Sequence, residues 1–169
     1  VIVVDAIGPD EARECGASDA GSVAKARVVG SSIAEALAMQ AAALPHAPTV
    51  FIASLRNAAA TAAAVYDEQV ARGGRTAINL VLAGDAGKFA VEDYLAAGAV
   101  ANTLSELGLD HSSPDAAVAI EGFRPLKRAV KHLFSASAAG LAEAEAGRRD
   151  EVRAAAMLDA EALATRFSG

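Results

Sequence analysis

Tryptophan is missing from the sequence, cysteine and histidine occur once and three times, and aromatic residues make up only 4% of 169 positions. Each shortage excludes something. Cys15 alone cannot close an intrachain disulfide or build a multi-cysteine zinc site, and His46, His111 and His132 fall at no metal-ligand spacing. A reducing, cytoplasmic compartment is therefore expected. No apolar run reaches the roughly eighteen residues that a membrane-spanning helix needs, and Val1-Ile2-Val3-Val4 is too short and lacks the basic flank of a signal peptide. The 15 basic side chains are scattered among 21 acidic ones, for a net charge of -6, so no basic patch invites a phosphate backbone or an anionic membrane. The expected partner is a small molecule, with neither nucleic acid nor membrane.

What is present is apolar and small. The chain is 53% hydrophobic and about a quarter alanine, a composition that forms helices readily but removes little area from water per buried side chain. Stability must come from close packing. The length is that of one domain, here residues 1–169, with a sizeable core.

Val1 to Val4 is a β-branched run ending in Asp5, the pattern of a strand buried on both faces. The pattern recurs at Thr49 to Ser54 and at Thr76 to Ala83, each time followed by a polar or glycine-rich turn and a long helical stretch. Such alternation predicts βαβ units and a mainly parallel sheet. Ser32 and Glu35 form a capping-box spacing for a first helix, which Pro45 and Pro48 end. Asn57 is an N-cap residue for a second helix, Ala58 to Val70, stopped by Gly73-Gly74. A third runs from about Val91 to Leu107 and is closed by Gly108. From Ser113-Pro114, an N-cap with proline at the first helical position, the pattern is helical to the end, with breaks near Gly122 to Pro125 and at Gly147, and no further strand is expected. The C-terminal third is thus read as helical.

Open parallel sheets bind ligands at the carboxyl ends of their strands, where loops meet helix N-termini. Asp5, Gly30-Ser31-Ser32, Arg56-Asn57 and Gly84 to Asp93 occupy those places. Gly84 and Gly87 let amides approach an anion, Lys88 adds a point charge, and Glu92-Asp93 set adjacent carboxylates at a helix start, where the helix dipole alone would also favour them. Asp5 at the end of a buried strand requires a hydrogen bond, a partner or a metal. If Asp5 and Glu92 or Asp93 converge, their hard oxygens suit Mg²⁺. Ser31 and Ser32 are hydroxyl donors for a phosphate or simply a cap, and Arg56 is a phosphate or carboxylate fork or a surface arginine. Cys15 has no basic neighbour to lower its pKa and reads as a bystander, and Lys127, Arg128, Lys131 and His132 read as a solvated basic face.

Two stretches resemble the 2-phosphosulfolactate phosphatase (ComB) family. Val50-Phe51-Ile52-Ala53-Ser54-Leu55-Arg56-Asn57-Ala58-Ala59-Ala60-Thr61-Ala62 is similar to that family's strand and N-A-x-A-V-A helix start. Leu82 to Val100 is similar to its A-G-x-x-G-x-F-[SA]-x-E-D-x-L-x-A-G block, which is long and specific. Gly30 to Ala34 and Ser137 to Asp159 extend the likeness more weakly. The resemblance implies a three-layer α/β/α fold and a Mg²⁺-dependent phosphatase acting on 2-phospho-3-sulfolactate, in coenzyme M type sulfonate metabolism. On it, Asp5 and Glu92 or Asp93 would hold the metal and form the catalytic centre. Ser31, Ser32, Arg56, Asn57, Lys88 and the amides of Gly84 to Gly87 would bind the small phosphorylated acid.

The departures lie near the N-terminus. Asp5 is followed by Ala6-Ile7-Gly8-Pro9 where the family carries an arginine and hydroxyls, and Val28-Val29 precede Gly30 where it carries an asparagine. With a start on Val inside a strand, this shortfall leads us to expect a longer natural chain, with further loop residues near Ala6/Ile7, Ser22/Val23 or Val29/Gly30. The rival expectation is a degenerate, non-catalytic anion-binding or assembly protein on the same fold. Alanine-rich helical surfaces also suit a homodimer, although no stripe singles out its interface.

Overall fold

The computed structural model describes residues 1–6, 32–84 and 88–168, with Ser32 described in its backbone alone. Strands β1 (Ile2–Val4), β2 (Phe51–Ala53), β3 (Leu80–Leu82) and β4 (Thr165–Arg166) form one sheet in the order β3-β1-β2-β4. β1 runs parallel to both neighbours, Val3 standing opposite Ile52 on one side and Val81 on the other, while β4 pairs antiparallel with β2. The fold is therefore α/β with a mainly parallel sheet. Because side chains alternate across a strand, Ile2, Val4, Phe51 and Ala53 enter the larger core, and Val3, Val50 and Ile52 enter a smaller one on the other face.

Helices cover both faces. α1 (Ser32–Ala42) seals the smaller core with Ala34 and Ala38. On the larger side pack α2 (Ala58–Arg72), preceded by a 3-10 turn over Leu55–Asn57, and α3 (Val91–Glu106). α4 (Pro114–Leu126), α5 (Val130–Ala136), α6 (Ala138–Glu145) and α7 (Arg149–Ala155) complete the helical C-terminal third. Few large side chains are available, so the backbones come close. A Cβ on Gly98 of α3 would lie 2.4 Å from the Ala119 carbonyl oxygen of α4. Phe123 and Phe134 then fill what remains, each burial worth about 2–3 kcal/mol. Among the described residues, no helix is long and apolar enough to cross a membrane.

Local signals behaved unevenly. Ser113 accepts the Ala116 amide with Pro114 at the first helical position, and Gly73 closes α2 in the left-handed conformation, as the sequence predicts. α4 instead continues through Gly122 and Pro125 to Leu126. The third strand is shorter than Thr76 to Ala83 because β1 offers only three residues for it to pair with. The expectation of no strand after Ser113 is corrected by β4, whose two polar residues carry no periodic signal of their own.

Candidate functional site

The parallel strands end together at Asp5, Ser54 and Ala83, and Ala6 and Gly84, just past β1 and β3, bond to the first turn of α3. Its first turn begins without a side-chain cap, and Glu92 and Asp93 are buried at 3% and 2% exposure. This burial excludes a solvated helix cap. Asp93 accepts the Ala6 amide on Oδ1 and the Gly84 amide on Oδ2, each at 2.8 Å. One carboxylate thus ties the end of β1 to the end of β3. Asp5, 4% exposed, lies close enough to act on it electrostatically. Burial pushes the Asp93 carboxyl up to about 7; the Ala6 and Gly84 amides oppose the shift, and the charges of Asp5 and Glu92 add to it.

Asp5, Glu92 and Asp93, predicted as metal ligands, therefore share one electrostatic neighbourhood. Asp93 has each oxygen bound to a backbone amide as a strut between the two strand ends, and Asp5 and Glu92 are the buried carboxylates beside it. Among the described residues, no group of three His, Cys, Asp or Glu side chains is placed to hold a metal ion. Magnesium does not require one, since it commonly takes one or two carboxylates and completes its shell with water and substrate oxygens.

The second half of the site follows β2. Ser54 and Asn57 form a reciprocal capping box, with the Asn57 Oδ1 accepting the Ser54 amide at 2.8 Å and the Ser54 Oγ accepting the Arg56 amide at 3.2 Å. Asn57 Nδ2 donates back to the Ile52 carbonyl. Asn57 stands at the N-cap position of α2, as the sequence predicts, but its side chain makes no cap bond there. Its groups are turned toward β2, and the Ala59 amide is instead capped by Asp159 Oδ1 at 2.7 Å. Arg56 forms an ion pair with Glu161 and donates to the Ala154 carbonyl.

Ala6, Ser54, Arg56, Asn57, Glu151 and Glu161 line a pocket of about 270 Å³. Ala6 belongs to both halves, since its amide binds Asp93 and its surface faces the pocket. The remaining sequence-predicted groups are less central. The Gly84 amide is taken by Asp93, Lys88 is exposed, and Ser31, Gly87, Cys15 and the Ser32 side chain lie outside the described residues. Lys127, Arg128, Lys131 and His132 are exposed, as expected of a solvated face. Sequence reasoning missed Asp159, Glu161 and Glu151. Asp159 closes the weaker C-terminal likeness to the family, and that was its one available signal.

The family model described as 2-phosphosulpholactate phosphatase matches residues 17–167. No curated protein matches the chain directly.

Proposed function

Because the chain belongs to the 2-phosphosulpholactate phosphatase family, we propose that it hydrolyses the phosphate monoester of 2-phospho-3-sulfolactate or a similar phosphorylated 2-hydroxy acid, using Mg²⁺. The observation that supports this reading is the junction at Ala6, where buried carboxylates adjoin a small pocket containing an arginine. Carboxylates held out of water without a cation are costly, and the raised Asp93 carboxyl expresses that cost. Asp5 and Glu92 would hold the ion, which when bound neutralises phosphoryl charge and lowers the pKa of a water. Asp93 keeps both strand ends in register, and Arg56 orients the substrate through its guanidinium fork. Hydrolysis joins the water oxygen to phosphorus, breaks the phosphorus–ester bond and returns a proton to the departing alkoxide.

A second reading draws on the internal partners already present. The Gly84 amide and the Arg56 Nε are occupied by Asp93 and Glu161, as in a scaffold that binds an acid without turning it over. Release of inorganic phosphate from phosphosulfolactate and a panel of phosphorylated 2-hydroxy acids, with Mg²⁺ and with EDTA, separates the two. Metal-dependent release supports the phosphatase. Saturable binding of the dephosphorylated acid, with no phosphate released by folded, metal-loaded protein, supports the second reading.

A further inference from the structure

The contacts of Arg56 are unevenly distributed. Of the five N–H donors of its guanidinium, Nε reaches Glu161 Oε1 at 2.7 Å and one Nη1 hydrogen reaches the Ala154 carbonyl at 2.6 Å. Among the described residues no other hydrogen bond holds the group, and Arg56 lines the pocket together with Ser54. Ser54 accepts the Arg56 amide with its oxygen, and a hydroxyl that accepts one bond can still donate another. The holder itself is fixed by backbone, because the Glu161 amide donates to the Arg56 carbonyl at 2.8 Å and the Asp159 amide to the Leu55 carbonyl at 3.1 Å.

Charge decides which part of a substrate fits. One guanidinium faces two carboxylates in this pocket, Glu151 and Glu161. These charges oppose any anion on balance, a phosphate dianion about twice as strongly as a singly charged carboxylate or sulfonate, so the single guanidinium suits the latter better. The volume of about 270 Å³ lies below the roughly 300–1,000 Å³ of sites for drug-sized ligands, which suits a small acid. Resting on the phosphatase reading, we propose that Arg56 and Ser54 receive the non-reacting acid group of the substrate while the phosphoryl group lies toward Asp5 and Glu92. Glu161 is the positioning residue that aims Arg56, acting through its hydrogen bond to Nε.

Selectivity tests the assignment. The ratio of kcat/KM for a phosphorylated 2-hydroxy acid to that for 4-nitrophenyl phosphate, which lacks a second acid group, is compared in wild type, Glu161→Ala and Glu161→Gln. Glu161→Ala removes one opposing charge but leaves Arg56 without its holder, and the net expectation is a ratio about tenfold lower, through KM for the acid. Glu161→Gln retains an acceptor for Nε and is expected to restore the ratio to within about threefold of wild type. Equal loss on both substrates, or an unchanged ratio in Glu161→Ala, overturns the positioning role.

Titration of unphosphorylated 3-sulfolactate, followed by calorimetry, needs no turnover and so separates failure of this subsite from failure of the phosphatase reading. Binding to wild type that weakens about tenfold in Glu161→Ala supports the subsite even if no phosphate is ever released. Absence of binding to wild type, or equal affinity in both proteins, overturns it even if the enzyme is active.

Discussion

Asp93 and Ala6 are separated by 87 residues, yet the carboxylate of one accepts the amide of the other at 2.8 Å, and its second oxygen accepts Gly84. The bond gives α3 a fixed height against the sheet. It also keeps a carboxyl group in a place that favours its protonated form.

Stability should therefore depend on pH with a definite sign. The Asp93 carboxyl is pushed up to about 7 in the fold and titrates near ~3.9 in the unfolded chain. Between these values the folded form keeps a proton that the unfolded form has lost, so stability falls as pH rises from about 4 to about 7 and the contribution levels off above. The ceiling is about 4 kcal/mol, and relaxation around the site reduces it to about 1–3. Urea unfolding in EDTA across this range measures the slope. Asp93→Asn, although less stable throughout, should flatten it, and an unaltered slope would remove Asp93 as its source.

At the start of α2 the Asp159 side chain supplies the cap from a backbone in the left-handed region, φ 51°. Asparagine tolerates that conformation and accepts the same amide, and alanine does neither. Asp159→Ala should cost about 1–2 kcal/mol and Asp159→Asn well under 1 in urea midpoint at constant m. A cost for Asn as large as that for Ala would show that the charge, rather than the cap, matters.

Thr61 is fully buried and its hydroxyl is the one buried side-chain polar atom without a partner among the described residues. Leaving such a group unsatisfied costs about 1–3 kcal/mol. Thr61→Val keeps the shape and removes the hydroxyl, and should raise the melting temperature by a few degrees. A fall would mean that the hydroxyl has a water partner.

Two glycines discriminate packing from propensity. At Gly98 an added methyl meets the Ala119 carbonyl oxygen at 2.4 Å and Phe123 Cβ at 2.8 Å, whereas at Gly122 its nearest neighbour is Tyr94 Cε1 at an ordinary 3.9 Å. Alanine gains about 1 kcal/mol of helix propensity at either. Gly98→Ala should still lose about 2 kcal/mol net through overpacking, and Gly122→Ala should gain about 1. Thermal melts of the pair decide it, and equal shifts would dismiss the close approach of α3 and α4.

Much of the framework was legible because it is local. The β-branched runs around Val3 and Ile52, the Ser113-Pro114 start and the Gly108 stop each state their structure within a few residues. Glu92 and Asp93 could be found as a pair, but helix-dipole chemistry explains such a pair equally well, and only burial tells the two apart. Arg56 illustrates the limit. Its partner lies 105 residues away, on an irregular segment without periodicity, so no window of sequence links them. Asn57 takes the N-cap position that its residue type suggests, but its side chain serves the turn after β2 and the side-chain cap comes from Asp159, 100 residues away.

That arrangement has a bearing on how the protein emerges from the ribosome. α3 and α4 are neighbours along the chain and can pack early, before synthesis is complete. The residues around Arg56, Ala154, Glu161 and those of β4, all follow α3 and α4 in the sequence. The α3–α4 pair can therefore pack before the groups that hold the Arg56 side chain have been made.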